Sequence, residues 1–184
     1  LEAIHAQGML HRDISPDNIF VTQNGEIKLL DFGAARYAIG ENSKSLSVIL
    51  KAGYAPEEQY RSKGSQGPWT DIYALGATLY RMITGKLPLE SIDRLFEDTL
   101  LMPGELGMAV PGSIDSILKK AMAVKAEDRY QTVQEFRVDL MRAISCAPLP
   151  QHDHPKPPNP IKALFGKLQL NMAKNIKAWA AVCA

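Results

Sequence analysis

The chain of 184 residues is 46% apolar and 22% charged, with a formal net charge of +1. This composition is typical of a soluble globular domain with one core, and the near-zero charge argues against nucleic acid as a partner. Cys146 and Cys183 lie too far apart for a disulfide scaffold or a zinc motif, which favours a reducing, cytoplasmic compartment.

The first third of the chain predicts a helix end, a hairpin and a loop. Residues 1–10 have helical apolar spacing that stops at Gly8. Two β-like runs, 19–22 and 26–30, are separated by an Asn-Gly pair, which is a strong hairpin signal. Residues 33–53 have poor periodicity and several serines, and therefore predict a long loop, of a length that is usually functional or disordered.

Four helices are predicted beyond this loop. Residues 70–84 are apolar on nearly every face, which indicates a buried central helix with Thr70 as its N-cap and Gly85 after its end. Amphipathic spacing predicts three further helices packed around it, at 91–101, 113–124 and 132–144, with Ser113 and Thr132 as caps of the last two.

The C-terminal part has a different composition. Residues 147–160 hold six prolines in 14 positions, which predicts an extended linker after a globular domain of residues 1–146. Residues 161–184 predict a helix with lysines on one face and large apolar side chains on the other. Such a helix suits an anionic membrane surface, and packing on the domain or on a partner fits the pattern equally well.

The candidate chemistry lies in two short motifs on either side of the hairpin. His11-Arg12-Asp13 precedes it, with Asn18 five residues after the aspartate, and Asp31-Phe32-Gly33 follows it. In order and spacing these residues resemble the catalytic loop and metal-binding motif of protein kinases, and the chain looks like the bacterial serine/threonine type. The resemblance implies a mainly α C-terminal kinase lobe with short β-hairpins, without the N-terminal lobe.

The resemblance also implies a role for each motif residue. Asp13 corresponds to the catalytic base, while Asn18 and Asp31 correspond to ligands of Mg²⁺ or Mn²⁺ bound with ATP. Asn18 thus belongs to both the catalytic and the cofactor-binding set. His11 and Phe32 correspond to residues that pack beneath the site.

Two positions depart from the family pattern. Ser15 stands where serine/threonine kinases carry a lysine that meets the transferred phosphate, and Lys51 stands where they carry threonine. We expect the pair to be exchanged, so that Lys51 is catalytic and Ser15 lies at the nucleotide, although a solvated loop lysine fits the sequence equally well. The departure weakens the choice of acceptor: serine or threonine is favoured and tyrosine stays open.

The segment that ends in Ala55-Pro56-Glu57-Glu58 resembles the close of a kinase activation segment. An ungapped alignment selects Glu58 for the family's buried ion pair, whereas the literal motif spells Glu57, so both stay open. Arg129 resembles the arginine of that pair.

Two more residues correspond to supports of the catalytic loop. Asp71 resembles the aspartate that accepts hydrogen bonds from the loop backbone. Arg12 resembles the arginine that couples activity to a phosphorylated activation segment. The candidate phosphorylation sites are the loop serines Ser43, Ser45 and Ser47.

No segment resembles a glycine-rich phosphate loop or the strand lysine that pairs with it. We therefore expect those parts upstream of Leu1, and we expect the chain to be a fragment that is inactive alone. The implied partners are a protein substrate and ATP, the latter through the missing lobe. The alternative function is a non-catalytic, kinase-like binding module, which retention of Asp13, Asn18 and Asp31 argues against.

Overall fold

The computed structural model describes residues 1–32, 36–37, 50–62 and 64–145. The predicted linker at 147–160, the predicted helix at 161–184 and the three candidate loop serines lie outside these ranges. In the described ranges, no helix has both the length and the apolar character needed to cross a membrane.

Six helices and four short strands make up the described part of the chain. The helices are α1 (Glu2–His5), α2 (Glu57–Tyr60), α3 (Pro68–Thr84), α4 (Ser91–Arg94), α5 (Gly112–Ala121) and α6 (Val133–Ser145). The strands are β1 (Met9–Leu10), β2 (Ile19–Val21), β3 (Ile27–Leu29) and β4 (Arg36–Tyr37). Single 3₁₀ turns cover Pro16–Asn18 and Ala126–Asp128.

Helix α3 is the centre of the core, as predicted. Thirteen of its 17 residues are buried, because it is covered on nearly every side. The helix begins two residues earlier than predicted: Gly67 is the N-cap, and the Thr70 hydroxyl accepts a hydrogen bond from the Gly67 N–H. The predicted N-cap role of Thr70 is therefore wrong. Gly85 ends the helix in the left-handed conformation, at φ +70°, as predicted.

Helices α5 and α6 pack on α3 and on each other. The Thr132 hydroxyl accepts a hydrogen bond from the Glu135 N–H at 3.2 Å, which confirms it as a cap of α6. Ser113 is not a cap, because α5 already begins at Gly112 after Pro111.

The predicted helix 91–101 is wrong in length, since α4 ends at Arg94. The Arg94 side chain is buried and donates to both carboxylate oxygens of Asp98, and Asp98 also accepts from the Leu100 N–H. These side-chain bonds replace the helical backbone bonds that the sequence pattern predicted.

The predicted hairpin is confirmed. Strands β2 and β3 pair antiparallel with Ile19 opposite Leu29, and Gly25 has φ +81° in the turn. The prediction of a long loop at 33–53 is wrong in part, because β4 pairs antiparallel with β1. This pairing joins distant segments, and neither two-residue strand has a periodic pattern that could reveal it.

Gly76 allows α3 to approach the end of α5 closely. A Cβ atom at this position would lie 2.9 Å from Met122 Cγ and 3.0 Å from Ala121 Cβ. We expect Gly76→Val to lower the free energy of unfolding of the chain by about 1–3 kcal/mol through overpacking. Chemical denaturation should measure this. The matched control is Gly112→Val, also helical but with open space around its Cβ, and an equal loss in both variants would contradict the packing argument.

Candidate active site

A buried carboxylate at the start of α3 holds the loop that precedes Asp13. Asp71 accepts hydrogen bonds from the N–H groups of His11, at 2.9 Å, and Arg12, at 2.8 Å, and His5 Nε2 lies 2.7 Å from it. Arg12 has φ +69°, a left-handed conformation that is costly for a residue with a side chain. The predicted role of Asp71 is confirmed, because its two backbone bonds hold the loop at this strained residue.

The Asn18 side chain orients Asp13. Its Nδ2 group donates to the Asp13 carbonyl oxygen at 2.7 Å and to Asp13 Oδ2 at 2.9 Å. A 3₁₀ turn over Pro16–Asn18 brings the two residues together. With Nδ2 occupied in this way, the amide oxygen of Asn18 is the atom suited to a metal ion.

The hairpin returns Asp31 to the same place. The Leu30 N–H donates to the carbonyl oxygen of Asn18 at 2.7 Å. Asp31 is the next residue, so this backbone bond places it beside the catalytic loop. Asp31 is exposed and has φ +58°. A carboxylate and an amide oxygen are the oxygen donors that Mg²⁺ prefers. The described residues contain no group of three or more His, Cys, Asp or Glu side chains arranged for a metal.

Lys51 reaches the catalytic loop from the segment before α2. Its Nζ donates to Ser15 Oγ at 2.8 Å, and it lies 3.5 Å from Asp13 Oδ1 and 3.7 Å from Asp17 Oδ2. Ser15 is fully buried, whereas the side chains of Lys51 and Asp13 are 31% and 25% exposed. The structure thus brings four of the predicted site residues into contact with one another, namely Asp13, Ser15, Asn18 and Lys51. Asp31 follows Leu30, whose N–H bonds to Asn18.

His11 is buried below this surface. Its Nδ1 accepts from the Asp13 N–H and its Nε2 lies 3.2 Å from the Leu30 carbonyl oxygen, an arrangement that suits a neutral ring. Burial lowers the pKa of the imidazole, and the negative charges of Asp71, Asp13 and Asp31 oppose this only in part.

The prediction that Phe32 packs beneath the site needs correction. Its ring centre lies 4.9 Å from that of His11, but the residue is 49% exposed. The two rings are tilted by 59°, and the described residues leave about half of Phe32 uncovered.

The choice between Glu57 and Glu58 is decided in favour of Glu58. Its carboxylate makes two hydrogen bonds with the Arg129 guanidinium, at 2.7 and 3.0 Å, and accepts a third from the Thr70 hydroxyl at 2.9 Å. Both charged groups are buried. Glu57 instead pairs with Arg61, which is largely exposed.

Gln59 is a site residue that sequence reasoning missed. Its Nε2 donates to the Arg12 carbonyl oxygen at 2.9 Å, which links α2 to the catalytic loop. Its position next to Glu58 could have indicated this role, because an ion pair that anchors Glu58 also restricts the position of the adjacent residue.

Comparisons with known proteins agree on one family. The family model "Protein kinase domain" matches residues 1–139. The probable serine/threonine-protein kinase PknB of Corynebacterium glutamicum is 35% identical over 77% of this chain and 24% of its own length, and PknB of Mycobacterium leprae is 33% identical over 78% and 24%. The chain thus spans about a quarter of these curated relatives.

Among solved structures, one described as "PpkA-294 apo form" aligns with a TM-score of 0.63 and 44% sequence identity, covering 75% of this chain and 48% of its own. A helical core, a hairpin between HRD and DFG motifs and a buried Glu-Arg pair define a protein of the kinase class. The chain belongs to the protein kinase family.

Removal of one partner of the buried Glu58–Arg129 pair should cost much stability. We expect Arg129→Met to lower the free energy of unfolding by about 3–5 kcal/mol, because it leaves a buried carboxylate without its counter-charge. Arg142→Met is the matched control, with an expected loss of at most about 1 kcal/mol, because the Arg142–Asp139 pair is exposed. Equal losses in the two variants, measured by chemical denaturation, would show that the burial of the pair is unimportant.

The lowered pKa of His11 predicts a pH dependence of stability. Below the ordinary histidine pKa of 6.5, the unfolded chain binds the His11 proton before the folded chain does, so stability falls as pH decreases through that window. We expect the melting temperature of the wild type to fall more than that of His11→Phe between pH 7.5 and 5.5. Groups common to both proteins cancel in the difference. Parallel pH profiles would contradict the assignment.

Proposed function

We propose that residues 1–146 form the catalytic C-terminal lobe of a serine/threonine protein kinase, which transfers the γ-phosphoryl group of ATP to a protein hydroxyl. The observation that carries this proposal is the fixed orientation of the Asp13 carboxylate. Asn18 fixes one of its oxygens at 2.9 Å, and a cation lies 3.5 Å from the other. A quarter of the side chain stays exposed, so an acceptor hydroxyl can reach it.

In the proposed reaction, Asp13 accepts or orients the proton of the acceptor hydroxyl. The hydroxyl oxygen forms a bond to the γ-phosphorus, while the bond from that phosphorus to the β–γ bridging oxygen breaks and ADP leaves with its electron pair. Asn18 and Asp31 would hold Mg²⁺, which supplies positive charge to the phosphate oxygens. The hydrogen bond between Asn18 and Asp13 fixes the position of the proposed base relative to a proposed metal ligand.

The nucleotide side of the proposed site needs a second lobe. The hairpin and the DFG motif expose apolar side chains beside Asn18, namely Phe20 at 54%, Val21 at 57%, Leu30 at 44% and Phe32 at 49%. An apolar surface next to a phosphate-handling site suits a nucleotide base and a covering lobe. Because the sequence contains no glycine-rich phosphate loop, we propose that the 184 residues alone transfer phosphate at a negligible rate.

Two features of the proposal rest on sequence alone. We propose a cytoplasmic location from the cysteine usage. We also propose contact of 161–184 with an anionic membrane from its basic amphipathic pattern, which suits packing on the domain or on a partner equally well. A non-catalytic binding module is the rival proposal. The hydrogen bond from Asn18 to Asp13 argues against that rival, because a lobe used only for binding has no need to orient the carboxylate.

The proposed base predicts the behaviour of Asp13→Asn. In a polypeptide that joins this chain to a nucleotide-binding lobe, we expect kcat for casein phosphorylation to fall by about 10²–10⁴-fold, because the amide cannot take the proton. The KM for ATP should stay near that of the wild type, since the metal ligands remain. Radiolabelled γ-phosphate transfer measures both quantities, and phosphoamino-acid analysis identifies the acceptor.

Three controls make this test decisive. Asp128→Asn, an exposed carboxylate on a 3₁₀ turn, should transfer phosphate as the wild type does. Chelation of Mg²⁺ with EDTA should stop transfer, and the 184-residue chain alone should show none. A wild type without transfer in the joined polypeptide would favour the binding-module alternative.

A further inference from the structure

The cation beside Asp13 comes from the activation segment and not from the catalytic loop. In the catalytic loop, the side chain two residues after Asp13 is the buried hydroxyl of Ser15, which cannot supply charge. The positive charge is that of Lys51, 36 residues further along the chain. Its Nζ has three oxygen neighbours, on Ser15, Asp13 and Asp17.

The geometry distinguishes Lys51 from a solvated surface lysine. Its side chain is only 31% exposed, and its shortest bond goes to a hydroxyl that water cannot reach. The hydrogen bond to Ser15 therefore fixes the position of the ammonium group, and the carboxylates of Asp13 and Asp17 attract it towards the catalytic loop. Holding the Lys51 side chain in one position costs conformational entropy. A lysine that served only solubility would have no interaction to offset that cost.

We propose that Lys51 is a catalytic residue whose ammonium group donates to the transferred γ-phosphoryl group, and that Ser15 is its positioning residue. This proposal rests on the proposed kinase function. The cation lies 3.5 Å from the oxygen of the carboxylate that would meet the acceptor hydroxyl. A donor in that position can follow the phosphoryl group as it passes from the bridging oxygen to the acceptor, and it stabilises the charge that accumulates in the transition state.

The source of the cation has a consequence for regulation. The backbone oxygen of Lys51 accepts from the N–H groups of Tyr54 and Ala55, and the Ala55 carbonyl accepts from the buried Ser91 hydroxyl at 2.8 Å. The segment that carries Lys51 is thus bonded to α4 through Ser91. Docking of the activation segment would therefore deliver the catalytic charge itself.

An exchange of the two side chains tests the proposal. In the polypeptide with a nucleotide-binding lobe, we expect Lys51→Thr to lower kcat for casein phosphorylation by about 10²-fold, the effect of removing one transition-state donor. The KM for ATP should not change, because the interaction is made in the transition state. The matched control is Lys125→Thr, which removes an exposed lysine outside the site and should leave kcat unchanged.

The double variant Ser15→Lys with Lys51→Thr provides the sharper result. Because Lys51→Thr removes the side chain that contacts Ser15 Oγ, we expect the double variant to recover at least about tenfold in kcat over Lys51→Thr alone, a coupling between neighbours. Lys51→Gln should lower kcat as much as Lys51→Thr does. The conclusion then does not depend on a single substitution. Melting temperatures confirm that each protein folds.

The outcomes separate this inference from the proposed function. If the wild type transfers phosphate and Lys51→Thr matches Lys125→Thr, the role of Lys51 is overturned and the kinase function stands. If Lys51→Thr is impaired but the double variant recovers nothing, the exchange of roles is overturned. If the wild type and Lys125→Thr both lack magnesium-dependent transfer, the proposed function itself is overturned.

Discussion

The hydrogen bonds accepted by the buried Asp71 carboxylate are the interaction on which the candidate site depends. A carboxylate removed from water is costly unless donors surround it, and here the N–H groups of His11 and Arg12 and the His5 ring all point to it. Those bonds hold Arg12 in a left-handed conformation that it would not keep alone. The direction in which the chain enters Asp13 follows from that conformation.

The residue before Asp71 extends the same support to the activation segment. Thr70 donates to Glu58, which in turn pairs with Arg129. Gln59, next to Glu58, then bonds back to the Arg12 carbonyl oxygen. Two consecutive residues at the start of α3 thus anchor the catalytic loop and the end of the activation segment, and the first turn of the core helix sets the spacing between them.

Local patterns predicted the features that depend on local physics. An Asn-Gly pair between β-like runs gave the hairpin, and continuous apolar composition gave α3, because turn geometry and burial act at short range. The length of α4 could not be predicted, since it depends on the side-chain pairing of Arg94 with Asp98. Nor could the choice between Glu57 and Glu58, because adjacent glutamates differ only in which one faces Arg129 in the folded chain.

Burial decreases stepwise from the groups that position to the groups that would react. Asp71, His11 and Ser15 are fully buried, whereas the side chains of Asp13 and Lys51 are 25% and 31% exposed. Hydrogen bonds are strongest where water is excluded, so the orienting groups gain most from their depth. A reacting carboxylate needs access to its substrate and must obtain its orientation from partners below. Asn18, itself buried, provides that orientation for Asp13, and a site built this way loses its geometry when the buried layer changes.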